Sequence, residues 1–397
     1  MPPLADYGKT TNERLWISNE ATFNVQAQPV LTDAVIPLPG LAFSPALREF
    51  VPSDERSPTA GVSALLKRKK KPSEWNIPLY TKFGAALGTP PSYGLLLKKG
   101  FGVETITGGV KVEYTLATSI EELSVSLHHY IDNLLRNFRG GLVGKITLDL
   151  SGSEEGKITI EGMATNEIFA GRGALNVGID ATQTTLTLEA GQARRFQLGP
   201  VAATDVLFVK IEAEIIKVTA IDYATDILTI VRAQEGSTGA VHSIGAEVAP
   251  RIPAADTDPA DKIASLVNGT IDLGTLTGLR IISFQQVIDN ALDSRLDEYA
   301  QDASTGARRS GKRRVTGKIR AYARQVTQAF LSDLEREFVE DAVIRAGTSP
   351  GRLTVDMDRL RLSNVAADGG GPEFVFEFDY EALDSSVGND ATKWTME

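Results

Sequence analysis

Four segments of this sequence alternate apolar and polar residues with a period of two: Leu142–Leu150, Lys157–Gly162, Arg313–Ala323 and Glu373–Glu381. A period of two places successive side chains on opposite faces of a β-sheet. The last segment is the clearest, because its aromatic residues share one face: Phe374, Phe376, Phe378 and Tyr380. The pattern therefore predicts a mainly β fold, with strands that are apolar on one face and charged on the other.

The composition argues against most catalytic classes. The chain has 397 residues, no cysteine, three histidines and a net charge of −10, so clustered phosphate binding is not expected. His128 and His129 would point to opposite faces of a strand, where they cannot share a metal. Ser237 beside His242 lacks the strand-to-helix turn of a hydrolase nucleophile. We expect no enzyme, no metal site and no cofactor.

The sequence pattern predicts neither a membrane-spanning segment nor a secretion signal. No apolar run approaches the roughly 18 residues of a membrane span. The first ten residues lack a basic-then-apolar leader pattern, so folding in the cytosol of the producing cell is expected. Residues 1–35 are predicted to be a loose arm or an edge strand.

Helical periodicity occurs in three places. Ser92–Gly100 predicts a short helix with Gly100 as its C-cap, and Val326–Ala342 predicts a longer one with an apolar stripe at Phe330, Leu334 and Phe338. Residues 119–138 fit either an amphipathic helix or a strand, Ser124–Ile131, followed by a turn at Asp132. Beyond the longer helix, residues 352–364 and 373–383 predict a hairpin across the glycines at 369–371.

Residues 174–252 differ from the rest of the chain. Short strand patterns at Thr184–Leu188, Val206–Ile211, Glu214–Val218 and Ile227–Val231 follow one another with no helix between them. Such spacing predicts a small β-barrel or sandwich. We interpret this stretch as an all-β module inserted into a loop of a discontinuous host domain, residues 1–173 and 253–397.

Two basic clusters stand out in an acidic chain. The first lies in a predicted exposed loop at 53–73 and consists of Lys67, Arg68, Lys69, Lys70 and Lys71. The second cluster comprises Arg308, Arg309, Lys312, Arg313 and Arg314. It is predicted to be a flexible loop that leads into a strand. Each cluster is open to three interpretations: a solvated surface, contact with nucleic acid or membrane, or contact with an acidic surface on another copy of the chain.

The order of these elements resembles the tail tube proteins of long-tailed, non-contractile bacteriophages. Residues 138–150 and 156–162 resemble the central hairpin of that family, 314–319 the strand that pairs later, and 374–380 the final strand. Residues 119–138 would then form a hairpin rather than a helix. Residues 214–218, 228–242 and 245–248 resemble a small β-module that recurs in phage structural proteins, placed here on the outer surface.

The resemblance implies a specific assembly. Proteins of that family form hexameric rings that stack into a hollow tube, with an inner β-barrel shared between subunits and a flanking α-helix, which here would be Val326–Ala342. The tube conducts DNA at ejection without binding it specifically, so acidic residues are expected in its lumen: Asp149, Glu161, Glu377 and Asp379. Lys67–Lys71 would contact the next ring.

The same resemblance sets the expected partners and the alternatives. The partners would be other copies of the chain, the tape measure protein, the tail terminator and the distal tail proteins, with no membrane. The location would be the virion, after assembly in the host cytoplasm. Two alternatives stay open: a distal tail or baseplate hub protein of the same β lineage, and a host-surface protein that binds carbohydrate through residues 174–252.

Overall fold

A computed structural model describes residues 13–54, 64–121, 123–132, 134–152, 154–198, 206–253, 259–264, 270–273, 280–299, 304–322, 339–368, 373–385 and 388–397. The fold is mainly β, with 55% of residues in strands and 5% in helices. The mainly β prediction is confirmed.

The strands are numbered in chain order. The first part of the chain forms β1 (Glu13–Asn19), β2 (Ala34–Val35), β3 (Ala42–Phe43), β4 (Arg48–Pro52), β5 (Leu65–Lys70), β6 (Ser73–Tyr80), β7 (Lys82–Phe83), helix α1 (Gly94–Phe101), β8 (Gly102–Thr107), β9 (Lys111–Leu116), β10 (Val125–Ile131), β11 (Leu134–Ser151), β12 (Lys157–Ala164) and β13 (Asn166–Ala170). The middle part forms β14 (Gly173–Ala174), β15 (Thr185–Thr187), β16 (Leu207–Ile211), β17 (Glu214–Asp222), β18 (Ile227–Val231) and β19 (Glu247–Pro250). The last part forms β20 (Lys262–Ile263), β21 (Thr270–Leu273), β22 (Ile281–Asp289), β23 (Leu292–Ser294), β24 (Ala307–Arg309), β25 (Arg314–Tyr322), β26 (Val339–Ala346), β27 (Leu353–Asp368), β28 (Val375–Ala382) and β29 (Lys393–Met396). Among the described residues, 3-10 turns lie at Leu31–Asp33 and Gln192–Arg195.

A curled half-barrel sheet dominates the chain. Its central strands lie in the order β6, β12, β11, β22, β25, β28, β27, β26 and β21, each antiparallel to the next. The long strand β11 pairs with β12 through its second half and with β10 and β13 through its first half. The four alternating segments therefore all fall on strands that belong to one sheet.

The apolar face of this sheet is covered by α1 and by two short strands. Leu96, Leu97 and Phe101 of α1 are fully buried, and so are Tyr114 of β9 and Trp394 of β29. Gly100 lies inside the helix rather than capping it. Glycine is needed at that position because a Cβ there would lie 2.5 Å from the Ile146 side chain of β11. The helix instead ends at Gly102, whose φ of +105° is the left-handed conformation that favours glycine.

The long helix predicted over Val326–Ala342 is wrong where the structure describes it. Residues 339–346 form strand β26, which pairs with β21 and β27, while 323–338, with Phe330, Leu334 and Phe338, lie outside the described residues. Ala342, Ile344 and Ala346 are buried at a spacing of two, so the segment also carries a strand period. The helix that covers the apolar face is α1.

Residues 119–138 follow the strand interpretation rather than the helix. Strand β10 pairs with β11 from Ile131 opposite Leu134 onward, and Asp132 takes a left-handed φ of 50° at the turn. The hairpin predicted around 369–371 is also confirmed by pairing, because Asp368 of β27 lies opposite Val375 of β28. The turn residues 369–372 lie outside the described part of the chain.

The predicted loop at 53–73 is wrong in its second half, where Leu65–Lys70 is strand β5. It pairs with β4 as a separate two-stranded sheet, and residues 55–63 between them are not described. The loop predicted around 308–314 is likewise structured, because Ala307–Arg309 pairs with Leu292–Ser294. Both differences reflect backbone pairing with a neighbouring strand, which outweighs local residue preference in these two segments.

Residues 173–250 form a separate six-stranded sheet in the order β14, β19, β16, β17, β18 and β15. This sheet has its own apolar cluster, which includes Leu186, Val209, Ile216 and Leu228 and extends to Ile168 of β13. Arg251 joins this part of the chain to the N-terminal segment by donating to the Pro29 carbonyl at 2.6 Å. The division of the chain into a host domain and an inserted module stays a prediction that these features support.

Candidate assembly surfaces

The polar face of the main sheet carries an alternating row of charges. By register, Glu161 of β12 lies opposite Lys145 of β11, which lies opposite Asp289 of β22, which lies opposite Arg314 of β25. Arg314 forms an ion pair with Glu381 of β28 at 3.0 Å, and Glu381 lies opposite Arg361 of β27. The sign of the charge therefore changes at every strand across six strands.

A second row lies further along the same strands. Lys157 is opposite Asp149, and Lys318 is opposite Asp379, with the uncharged Gln285 between the two pairs. Lys318 contacts Glu377 at 2.7 Å and Asp379 at 3.7 Å. The hydrogen bond to Glu377 and its charge raise the pKa of Lys318. Opposite charges on neighbouring strands stabilise the sheet and specify its register.

The four acids predicted for a lumen all lie on this charged face. Asp149 is exposed, and Glu161, Glu377 and Asp379 are partly exposed. Three of them form ion pairs with bases on adjacent strands, for example Glu161 with Lys145 at 3.1 Å. The six acids of this face on strands β11, β12, β22, β25 and β28 lie among five bases of the same strands, Lys145, Lys157, Arg314, Lys318 and Arg320, and Arg361 of β27 lies opposite Glu381. The predicted acids are therefore partly neutralised by neighbouring bases, and the lumen role of the face stays a prediction.

The basic run Lys67–Lys71 belongs to the hairpin formed by β4 and β5, which we call the basic hairpin. At least three of its five cations contact the same chain: Lys69 donates to the Glu298 carbonyl, Lys70 contacts Asn166 at 2.7 Å, and Lys71 pairs with Glu49 at 3.3 Å. The side chains of Lys67 and Arg68 are exposed. The part of the run accessible to a partner is therefore narrower than the sequence indicates.

The basic hairpin also exposes large apolar side chains. The exposed fractions are 64% for Leu47, 57% for Phe50, 63% for Leu65 and 54% for Leu66. In the described part of the chain, its two strands pair only with each other. A two-stranded hairpin is marginally stable by itself in water, and clustered apolar exposure marks an interaction surface.

The second basic cluster is tied into its own surroundings. Arg308 pairs with Asp297 at 2.8 Å, Arg309 with Glu121 at 3.2 Å, and Arg314 with Glu381. Arg313 donates to Asn290 at 2.8 Å. Burial, followed by the nearby charge of Arg309, lowers the pKa of Arg313 to about 10. Most of this cluster thus has partners within the chain.

The histidines are placed in structural roles. His128 is buried and bonded to Asn137 at 2.8 Å and to the Ala27 carbonyl at 2.9 Å. Burial lowers the pKa of His128 to about 4 despite these contacts. His129 contacts Glu13 and stacks on Phe43. Within the described ranges, no group of three or more His, Asp or Glu side chains is placed to hold a metal.

Ser237 and His242 do not form a nucleophile pair. The Ser237 hydroxyl donates to the Gln234 carbonyl at 2.8 Å and accepts from the Ile215 amide at 3.0 Å. The two ring nitrogens of His242 face carboxylates instead, Glu212 at 3.2 Å and Glu214 at 2.9 Å.

The most buried charge network in the chain was missed by sequence reasoning. Glu214 is 1% exposed. Its carboxylate accepts hydrogen bonds from the Arg232 guanidinium at 2.7 and 2.6 Å and from the backbone amides of Ala233 and Ala240, and it contacts His242 Nε2 at 2.9 Å. Burial by itself raises the pKa of Glu214, but these hydrogen bonds outweigh it and lower the pKa to about 2. The available signal was a glutamate on the apolar face of a strand, since such a residue needs partners. The network fixes the loop 232–242.

In comparisons with known proteins, no family model matches this chain, and no curated protein matches it either. None of the helices formed by the described residues is long and apolar enough to cross a membrane. The function is therefore argued from the surfaces described above.

Proposed function

We propose that this chain is a virion structural protein that self-assembles into stacked rings, hexameric as in the tail tube family it resembles, and forms the hollow conduit for DNA ejection. The observation that carries the proposal is the basic hairpin. Its exposed Leu47, Phe50, Leu65 and Leu66 cannot be accommodated in a stable monomer surface without cost, because apolar area in water is unfavourable. A second copy of the chain supplies the missing cover.

The open borders of the sheet support the same proposal. Among the described strands, β8 pairs only with β9, and it exposes 43% of Val103 and 50% of Ile106. Unpaired edges with apolar side chains invite pairing with another chain. A ring of copies would satisfy such edges in a controlled way and leave the charged face on one side of the wall.

The charged face has no excess of base and suits a conduit. A wall with excess base would bind phosphates, and counterion release would strengthen that binding at low salt. On the six central strands each base lies beside acids that neutralise it, so the face offers DNA little net attraction. The tape measure, tail terminator and distal tail proteins would be the further partners, and the virion the location.

The proposal is tested by negative-stain microscopy and sedimentation velocity of the purified chain over a concentration series. Tubes of stacked six-fold rings are expected. Isolated rings that never stack would instead favour the hub alternative, and a monomer at every concentration would refute self-assembly.

A paired variant test addresses the hairpin directly. Phe50→Ser with Leu66→Ser should abolish tubes, because it removes apolar area from the basic hairpin. Val177→Ser with Ile244→Ser is the matched control, since those side chains are 53% and 69% exposed on residues 173–250. Equal assembly of both variants would show that the hairpin is not the contact.

A further inference from the structure

A groove of about 570 Å³ opens beside the root of the basic hairpin. It lies where β6, β12 and β22 meet the bulged part of β11, and β23 forms its other wall. Pro72, which directly follows the hairpin, is on its rim. Gly144 contributes no side chain to the lining, and a Cβ there would have no atom nearer than 3.8 Å. The volume is sufficient for several side chains of an incoming segment.

The groove is acidic. Its lining includes Glu74, Glu161, Asp289 and Asp293 but a single base, Lys145, which is paired with Glu161 at 3.1 Å. Asp293 lies 3.8 Å from the Arg308 guanidinium, which is also paired with Asp297 at 2.8 Å. Glu161 is paired with Lys145 and Asp293 lies near Arg308, so Glu74 and Asp289 are the lining acids that would meet a basic ligand.

One buried polar atom on the groove side of the sheet lacks a hydrogen-bond partner within the described chain, Asn76 Oδ1. Asn76 lines the groove and lies opposite Glu161, which belongs to the charged face. A buried acceptor without a donor is costly, and a backbone amide or a basic side chain of an incoming segment would satisfy it.

The same chain carries a segment with the complementary chemistry. Residues 48–71 contain seven bases and three acids, a charge of +4 in a chain of −10. Leu65, Leu66, Lys67 and Arg68 are four consecutive exposed residues. Lys69 and Lys70 are held by Glu298 and Asn166 of their own chain, which fixes the hairpin base and leaves the four residues before them on the surface.

We infer that the acidic groove receives Leu65–Arg68 of a second copy, with Lys67 and Arg68 meeting Glu74 and Asp289. The inference rests on the proposed self-assembly and names the contact that drives it. Because hairpin and groove are different surfaces of one chain, the contact is heterologous and repeats from copy to copy, as ring closure or stacking requires. Charge complementarity of this kind steers association and fixes register.

Disulfide trapping tests the contact, since the natural chain has no cysteine and any disulfide must come from introduced residues. Arg68→Cys with Asp293→Cys should give a ladder of covalent oligomers on a non-reducing gel. Arg68→Cys with Glu155→Cys is the control, because Glu155 lies at the opposite end of the sheet, and it should give no ladder beyond dimers. A ladder only in the control, or in neither, would overturn the inference.

Charge exchange gives an independent test. Glu74→Lys with Asp289→Lys should raise the concentration needed for assembly at least about 100-fold, because like charges opposed at an interface cost several kcal/mol. Adding Lys67→Glu and Arg68→Glu should restore assembly, while those two alone should not assemble. The contact is refuted if the variant with Glu74→Lys and Asp289→Lys assembles normally. It is also refuted if the variant with all four substitutions melts at the natural temperature and still does not assemble. Failure of the natural chain to assemble would refute the proposed function instead.

Discussion

Lys318 donates a hydrogen bond to Glu377 at 2.7 Å across two neighbouring strands, and it also lies 3.7 Å from Asp379. This single lysine therefore neutralises two of the carboxylates that the sequence places on the charged face. The relationship shows how one base on a neighbouring strand offsets more than one carboxylate of the sheet.

Reversing that lysine should destabilise the sheet in a salt-dependent way. Lys318→Glu would place a third carboxylate between Glu377 and Asp379, so the urea midpoint should fall at low salt. It should recover in about 0.5 M NaCl, where the Debye length is roughly 4 Å. Lys312→Glu, at an exposed position nearby, is the control and should change little. A midpoint that ignores salt would contradict the electrostatic account.

Removing the charge of Glu214 should be strongly destabilising. Glu214→Gln leaves Arg232 buried without its counter-charge, and breaking a buried pair in this way costs about 3–5 kcal/mol of unfolding free energy. Glu212→Gln is the matched control, because the Glu212 side chain is 66% exposed. Urea unfolding measures both. Replacing the pair together, as Glu214→Gln with Arg232→Met, should cost less than Glu214→Gln alone, and a larger loss would contradict the account.

Burial of His128 should make the protein less stable as the pH falls. Its pKa is lowered from 6.5 to about 4, so the unfolded chain binds a proton more readily than the folded one between those values. The contribution is fully present above pH 6.5 and lost as the pH falls toward 4, on the order of 3 kcal/mol. Urea unfolding across this range measures it.

The His128→Leu variant isolates that effect. It should be less stable than the natural chain at pH 7, because the contacts to Asn137 and Ala27 are lost. Its stability should nevertheless fall less steeply between pH 6.5 and 4. Parallel curves for the two proteins would assign the pH dependence to other groups.

Two glycines in the main sheet should respond differently to the same substitution. At Gly317 a Cβ would lie 2.0 Å from the Gln285 carbonyl oxygen and 2.5 Å from the Tyr380 hydroxyl. Gly317→Ala should therefore lower the unfolding free energy by about 2–3 kcal/mol, the upper part of the range for overpacking. At Gly144 the nearest atom would be 3.8 Å away, so Gly144→Ala should be nearly neutral. Similar thermal melting of both variants would contradict this.

The strands predicted from alternation were confirmed because one face of each was consistently apolar. Ile146, Leu148, Ile158, Ile160 and Phe378 are all buried on the covered face. The prediction at 339–342 was wrong because these residues open strand β26, in which Ala342, Ile344 and Ala346 are buried at a spacing of two. Pairing with β21 and β27 decided the outcome, and a single sequence does not contain that information.

The candidate surfaces were only partly predictable. The acids Asp149, Glu161, Glu377 and Asp379 were correctly assigned to one charged face, since parity along a strand fixes the face. Which bases neutralise them depended on strand register, and the partners of Arg308 and Arg309 depended on loops that tertiary contacts bring close. The Glu214–Arg232–His242 network joins three segments that are separate in the sequence, so spacing could not reveal it.

The sequence by itself determined the mainly β character, the polarity of each strand face and the lack of thiol chemistry, because these follow from residue type and a period of two. Only the tertiary structure decided that the basic run is a hairpin strand, which bases lie beside the acids of the charged face, and that an acidic groove lies at the hairpin root. Those features arise where distant segments meet, and their energies depend on distances that a linear pattern does not contain.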